Sequence, residues 1–418
     1  MIQSVRGTKD ILPDEINFWY FVENVFKKLS TNFGYTEIRT PMFEKTEVFV
    51  RSIGEETDIV NKEMYSFPDR SGESITLRPE GTAPLVRAII QNSLIQQTNL
   101  LRLWYYGPFF RYERPQKGRQ RQFHQYGAEC IGSEYPESDA EIIYLACSIL
   151  NGININKYRV LINTLGNNTS REKYREKLIE FLSKHISDLS EDSQRRFGKN
   201  PLRVLDSKDE RDIEVTNSAP SILDFLDRES IDHFEGVKNI LTKLKIDFVI
   251  NPKLVRGLDY YNHTVFEFQS SELGAQDSIG GGGRYNKLFE EFGAKTTPAV
   301  GFAFGVERLI IILEKLIEKD SLLQNPEIFI VSGLIPEDEY YIELVKKLRS
   351  MELRVVTDLN RRSFKAQMKE SNRLKAKYAI LVGEDEKNSK MVTLKRLEDG
   401  YQQTISIDLI DKFNFNDK

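Results

Sequence analysis

Residues 100 to 132 constrain the fold more than any other stretch of this chain. Two runs in which apolar residues alternate with others, LLRLWYYGPFFRYER and RQFHQYGAECIG, are separated by a short stretch containing PQKG, a Pro and Gly turn signal. They predict a long antiparallel hairpin, which needs a sheet around it and a helix over one face. The helix is predicted directly afterwards, where Ser138 and Glu141 form a capping box ahead of Ile142, Leu145, Ala146, Ile149 and Leu150 at helical spacing. Arg111 with Glu113, and Gln125 with Glu129, lie at even separations, so each pair is expected to face one side of the sheet. The tip carries five basic residues (Arg111, Arg114, Lys117, Arg119, Arg121) against Glu113 alone, a local charge of +4. Such a loop suits a polyphosphate or a nucleic-acid backbone, because arginine pairs phosphate oxygens bidentately. A solvated hairpin tip is the plain alternative, and the polar face on the strands favours a site.

The rest of the chain supplies the other elements. Phe18, Phe21, Val22, Val25 and Leu29 repeat at helical spacing between Pro13 and Gly34 and predict an amphipathic packing helix. Extended character begins at Tyr35 and recurs at Ile75 to Leu77. Residues 168 to about 250 read as a mostly helical insertion, with a capping box at Thr169 and Glu172. Strand character resumes in FVINPKLVRGLDYYNHTVFEF and passes four adjacent glycines, Gly280 to Gly283, for which close backbone packing is favoured over a phosphate nest. It ends in TPAVGFAFGVERLIIILEKL, a strand feeding a helix. The polar EKDSLLQNPE is a predicted linker, and EIFIVSG, ELVKKLRSM, LRVVTDL, SFKAQMKESNRLKAK and YAILVGE then alternate strand and helix as a separate α/β domain. Arg361 to Lys377 carries seven basic residues and one acid there, a charge of +6 that suits RNA or else a solvated helix face.

Composition removes large classes. With 59 basic and 63 acidic residues the net charge is -4, so a polyanion must be met by local clusters. No apolar run approaches the ~18 residues of a membrane span, and MIQSVRGTKDILPD has no apolar signal core, which predicts a cytoplasmic, soluble protein. Cys130 and Cys147 lack metal or disulfide spacing and read as buried thiols. The nearest approach to a P-loop is Gly198, Lys199 and Asn200, and no dinucleotide-binding glycine motif stands between a strand and a helix. His124 points opposite to Phe123 and Gln125, away from any site on that face; His185, His233 and His263 have no spacing for catalysis or metal.

At this point a resemblance becomes specific. GPFFRYERPQKGRQRQFHQYGAE looks like motif 2 of class II aminoacyl-tRNA synthetases, with FRxE at Phe110 to Glu113. AVGFAFGVERL, ending just past Arg308, looks like motif 3, and GYTEIRTPMFEKTEVF, with Pro41, looks like motif 1. RGLDYY at Arg256 to Tyr261, GGGGRYNKL at Gly280 to Leu288 and TLRPEGT at Thr76 to Thr82 narrow the resemblance to the histidyl-tRNA synthetases, over essentially the whole chain. It implies an α+β fold: an antiparallel-sheet catalytic domain over residues 1–324 with the helical insertion, and an α/β anticodon-binding domain over 325–418. It also implies ATP with Mg2+, L-histidine and tRNA(His) as partners, and a homodimer built on motif 1.

By the same resemblance Arg111 and Arg256 are the catalytic cations, Arg111 on the α-phosphate and Arg256 between it and the histidine carboxylate. Arg308 would reach the γ-phosphate and adenine, and Glu113 and Phe123 would hold the adenosine, with Arg119 and Arg121 weaker candidates for the outer phosphates. Glu80, Thr82 and Gln125 would take the amino group and carboxylate of histidine; Glu129 and Tyr261 would face the imidazole, and Tyr285 would complete the wall. Arg114, Gln116 and Lys117 would meet the tRNA acceptor end. No metal ligand set is expected. Two rivals keep the shape without the chemistry: a catalytically inactive, histidine-binding regulatory paralogue and a sensor of uncharged tRNA. The paralogue generally lacks the C-terminal domain and departs from RGLDYY, and the sensor would lose Arg111, Arg256 and Arg308; this chain keeps all of these.

Overall fold

A computed structural model describes residues 2–54, 57, 59–198, 200–274 and 277–415, so Lys199 of the Gly198 to Asn200 stretch lies outside the described residues. The chain divides into two units, Met1–Ser321 and Leu322–Lys418. In the first, an eight-stranded sheet runs in the order Thr36–Glu37, Leu101–Phe110, Gln122–Ile131, Ala299–Gly305, Ser278–Arg284, Asn262–Gln269, Arg159–Thr164, Phe248–Ile250. The six inner strands are antiparallel and the two short edge strands pair in parallel. A second sheet joins Phe43–Lys45, Ser74–Leu77 and Tyr65–Pro68.

The hairpin forms as expected but its strands stop sooner, at the Phe110 to Gln122 pair. Arg111 and Glu113 therefore lie outside the ladder. One bond still crosses the hairpin, from Arg111 N–H to the Arg121 carbonyl at 2.9 Å, but other segments take the rest: Tyr112 N–H donates to the Glu63 carbonyl at 2.7 Å and Arg121 N–H to the Gly7 carbonyl at 2.7 Å. Residues 111–121 become a loop tied at its base, which bends the basic tip over the sheet.

The first helix, Ile16–Asn32, buries Phe18, Trp19, Val22, Phe26 and Ser30. Phe26 stacks on Tyr126 at 4.3 Å and the Ser30 and Tyr126 hydroxyls share a hydrogen bond of 2.7 Å, so this row faces the sheet. Phe21, Val25 and Leu29, predicted on the same face, are only half-buried. The reason is a second neighbour: Val25 and Leu29 lie so close to Gly152, the last residue of helix Pro136–Gly152, that a methyl group there would stand 3.0 Å from each.

Neither predicted capping box forms. Helix Pro136–Gly152 starts on Pro136, whose fixed backbone suits a first turn, and Glu141 instead binds Arg102 at 2.7 Å. Helix Asn168–Ser183 is capped by the Asn167 side chain, which accepts from Ser170 N–H at 3.0 Å. Both helices begin before the predicted caps. The insertion adds helices Glu191–Phe197, Glu210–Thr216 and Arg228–Lys243, the first two tied by Asp212, which accepts from the hydroxyls of Ser190, Ser193 and Ser207. Its predicted last residues, Phe248–Ile250, belong instead to the main sheet.

In the second unit Val355–Thr357, Ile328–Ser332 and Tyr378–Val382 pair in parallel, with helices Glu339–Ser350 and Phe364–Arg373 between them. An antiparallel hairpin, Met391–Arg396 and Gln402–Ser406, extends the sheet. Part of the basic run is neutralised locally: Arg362 and Arg373 share Glu370, and Arg361 pairs with Glu337 at 3.0 Å.

Candidate functional site

Four neighbouring strands present one face of the first unit to a pocket of about 490 Å³. Alternation does the placing. Phe123, Gln125 and Glu129 share the face of strand Gln122–Ile131, and Glu267 and Gln269 share that of Asn262–Gln269. The strands between them contribute mostly backbone, at Gly280, Gly281 and Gly301. A methyl group on Gly280 would sit 2.3 Å from the Ala303 carbonyl oxygen, and one on Gly301 would sit 1.5 Å from Glu129 Oε2. The glycines are required by their neighbours, as close packing predicted.

One end of the pocket is lined by carboxylates and phenols. Glu80 is buried and accepts from the N–H groups of Thr82 and Ala83 at 2.7 and 2.8 Å; burial raises its pKa and those two donors oppose the rise. Glu129 is 1% exposed, and burial pushes its pKa up to about 8. The Thr82 hydroxyl donates to Glu129 Oε1 at 2.9 Å and the Tyr285 hydroxyl to Oε2 at 2.7 Å. Thr82 thus spends its proton on Glu129, and Tyr285 stands behind the carboxylate, outside the residues that line the pocket. Tyr261, its pKa raised by burial to about 12, lines it.

The other end is cationic. Arg111 donates to the Pro79 carbonyl at 2.8 Å and lies over the Phe123 ring at 5.3 Å. Arg111 and Arg119 approach Glu113 at 3.8 and 3.4 Å from opposite sides. Arg308 bridges the hairpin loop and the glycine-rich strand through the carbonyls of Gly118, at 3.2 Å, and Ser278. Burial lowers the pKa of Arg308, and the neighbouring Arg119 lowers it further. Between the two ends, Arg256 Nη1 donates to Glu267 Oε2 at 2.6 Å. The Arg256 to Asp259 pair that spacing allowed does not form, because Asp259 is held by Asn200 and Arg203 at 3.0 and 3.4 Å.

Among the described residues, three buried polar atoms here lack a hydrogen-bond partner: Glu113 Oε2, Gln125 Oε1 and Arg256 Nε. Buried polar atoms are nearly always satisfied, so atoms of both signs left open along one cavity point to a ligand with donors and acceptors at matching places. Guanidiniums crowding one carboxylate call for an added anion.

The histidyl-tRNA synthetase family model matches residues 7–309, and an anticodon binding domain matches 327–413. The chain belongs to the histidyl-tRNA synthetase family. It is 47% identical over 415 residues to a histidine–tRNA ligase of Cyanothece sp., covering 99% of this chain and 96% of that one. It is 46% identical over 408 residues to one from Listeria monocytogenes, covering 97% and 96%. The crystal structure of the apo S. aureus histidyl-tRNA synthetase superposes with a TM-score of 0.83 at 36% identity, covering 99% of each chain. A Bacillus halodurans C protein described as an ATP phosphoribosyltransferase regulatory subunit/histidyl-tRNA synthetase, 22% identical with a TM-score of 0.65 over 92% of this chain and 98% of that one, shares the fold.

Within this family fold, Glu80, Thr82, Gln125, Glu129 and Tyr261 meet at one end of the pocket and Arg111, Glu113, Phe123 and Arg308 at the other, with Arg256 between. Gln116 and Lys117 line a separate hollow of about 230 Å³ behind the loop, with Lys9, Glu15 and Trp19. Arg114 lines neither, and Arg121 turns away to cover the Tyr112 ring at 3.9 Å. His124 faces that rear hollow, where its backbone N–H donates to Glu307 at 2.9 Å. The His233 and His263 rings lie 5.3 Å apart at a tilt of 42°, with His233 beside the buried Asp139 and Arg284 pair, and among the described residues no group of three or more His, Cys, Asp or Glu is arranged to hold a metal ion. Cys130 and Cys147 are buried thiols.

Sequence reasoning missed Tyr105, Asp206, Lys208, Tyr260, Glu267 and Gln269, all of which line the pocket. For Glu267 and Gln269 the signal was present, since TVFEFQ alternates polar with apolar residues. Tyr105 carried no such signal. Its ring lies between Gly81 and Gly127, at each of which a methyl group would come within 2.3 Å of it.

Proposed function

We propose that this chain attaches L-histidine to its cognate tRNA in two steps within this one pocket. The histidine carboxylate attacks the α-phosphate of ATP and expels pyrophosphate, and the tRNA terminal hydroxyl then displaces AMP from the histidyl-adenylate. The observation that carries the reading is the pocket's polarity: paired buried carboxylates at one end, guanidiniums around Glu113 at the other, and Arg256 between. Histidine fits the acidic end, where Glu129 as a carboxylate accepts an imidazole N–H, Tyr261 closes on the ring, and Glu80 and Gln125 take the amino and carboxylate groups. A site whose buried polar groups are paired by the right substrate rejects the wrong one, since each group left unpaired costs ~1 to 3 kcal/mol.

ATP fits the cationic end. Arg111 takes the α-phosphate, Arg308 the γ-phosphate and the adenine face, Glu113 and Phe123 the adenosine, and Arg119 the outer phosphates. Pre-positioned guanidiniums stabilise the charge that builds as the α-phosphate passes between nucleophile and leaving group. Mg2+ is bound chiefly by phosphate oxygens and water in sites of this kind, so it arrives with the triphosphate and neutralises its charge. Arg114, Gln116 and Lys117 meet the acceptor end of the tRNA, and the second unit takes the anticodon. The protein acts in the cytoplasm as a homodimer through the motif 1 segment, where Met42 and Phe43 are 51% and 55% exposed. An inactive histidine-binding regulator would have no use for three phosphate-directed arginines in one cavity.

The test is histidine-dependent exchange of pyrophosphate into ATP by the purified chain. Arg256→Ala should bind both substrates and lose about 10² to 10³ in exchange rate, the effect of removing one pre-positioned charge. Exchange within about threefold of the parent, worth under ~1 kcal/mol, would remove Arg256 from the chemistry.

A further inference from the structure

The loop that carries Arg256 and Tyr261, residues 251–261, has no strand partner of its own. Its first half is held by the core: Asn163 Nδ2 donates to the carbonyls of Pro252 and Leu254 at 3.2 and 3.0 Å. Its second half is held by the helical insertion. Arg203, in the six-residue 3₁₀ helix Pro201–Asp206, donates from Nη2 to the Gly257 carbonyl at 2.6 Å and approaches Asp259 Oδ1 at 3.4 Å. Arg171, on helix Asn168–Ser183, donates from Nη1 to the Tyr261 carbonyl at 3.2 Å and the Asp259 carbonyl at 3.4 Å. Asn200 Nδ2 donates to the same Oδ1 at 3.0 Å. The far face is closed by Gly54, at which a methyl group would stand 2.8 Å from Asp259 Oδ2.

Charge-assisted hydrogen bonds of this kind fix a peptide against rotation, and the residues they flank are those assigned to the reacting carboxylate and the imidazole. We propose that Arg203 is a positioning residue for the histidine end of the pocket: it acts through the Gly257 carbonyl and the Asp259 carboxylate to hold Arg256 and Tyr261 in place, so that the insertion sets the geometry in which histidine reacts. The inference rests on the pocket's reading as a histidine and ATP site, and extends it to a residue that touches neither substrate. ATP is held mainly from the hairpin loop and from Arg308, which Arg203 does not contact, so the effect is selective. Misplacing reacting groups by about 1 Å costs on the order of 10²-fold in rate, which makes a support of this kind visible in kinetics.

Full-length Arg203→Ala, Arg203→Lys and Asp259→Asn are compared with the parent in pyrophosphate exchange, varying histidine and ATP separately, and by hydrogen exchange of the substrate-free chain. Arg203→Ala should raise KM for histidine about tenfold or more and lower kcat several-fold, with KM for ATP within about twofold. Arg203→Lys, which keeps one donor for the Gly257 carbonyl, should recover at least half of the loss on a logarithmic scale. Amides of residues 257–261 should exchange about tenfold faster in Arg203→Ala, without a matching change in the hairpin strands. A histidine KM within about twofold of the parent, or histidine and ATP constants that rise together, would overturn the proposal. Should Arg203→Ala not fold, Asp259→Asn decides: a threefold or larger rise in histidine KM alone supports the proposal, and no change sinks it. Absence of histidine-dependent exchange in the parent would reject the functional reading, while the exchange of residues 257–261 still tests the support.

Discussion

Glu129 concentrates the energetics of the site. Its carboxyl is buried, takes hydrogen bonds from Thr82 and Tyr285, and titrates near 8 instead of its ordinary 4.5. The protonated acid gives up acceptor capacity that an imidazole N–H needs, so histidine KM should fall as pH rises through about 8 and level off above it. Glu129→Gln should flatten that profile and weaken histidine far more than ATP, as steady-state kinetics across pH would measure. Stability moves the opposite way. The native state holds a proton that the unfolded chain releases between about 4.5 and 8, so stability from this group declines as pH rises across that window. Thermal melts of Glu129→Gln should lack that part of the decline; equal slopes in both proteins would show that Glu129 titrates normally. The acidic face of the site was legible because Gln125 and Glu129 alternate along a strand. The Thr82 and Tyr285 donors were not legible in that role, because they come from distant segments and only tertiary packing delivers them to the same two oxygens.

The glycine-rich strand and the strand beside it act as a unit. Gly301 leaves the space in which the Glu129 carboxylate lies, so Gly301→Ala must displace that carboxylate or the strand. The expected outcome is loss of histidine saturation, with thermal stability lowered by about 1 to 3 kcal/mol through overpacking. Calorimetry and histidine titration check it, and near-parental histidine affinity would mean that Glu129 has room to move. Legibility followed local periodicity at this scale as well. The hairpin, the insertion helices and the first three strands of the second unit were readable because their patterns are continuous. Missed features were decided by competition between segments. Gly7 and Glu63 carbonyls end the hairpin ladder at Phe110, and Asn167 and Pro136 start helices before the predicted caps. The final hairpin escaped although its Asp399–Gly400 turn is a standard signal, since MVTLKR and QQTIS are too polar to read as core strands.

Across the whole molecule, the two units have cores drawn from their own residues: Leu103, Phe109, Tyr261 and Phe289 are in one, Ile330, Leu348, Ile380 and Leu394 in the other. A fragment ending at Ser321 should therefore fold, form histidyl-adenylate and charge tRNA poorly, because the cations assigned to ATP all lie before it and the anticodon contacts do not. Charging at the full rate would give the second unit another purpose. Sedimentation should find the full chain as a dimer, and charged substitutions at Met42 and Phe43 should split it; a monomeric, fully active parent would reject the motif 1 interface. The bare floor of the pocket has a consequence for selection. A compound that competes with substrate by gripping the main chain at Gly280, Gly281 and Gly301 would rest on positions where even one added methyl group collides with a neighbouring backbone or with Glu129. Escape variants cannot arise there without destroying the site itself, so drug resistance would have to come from the rim, at residues such as Gln120 or Lys208.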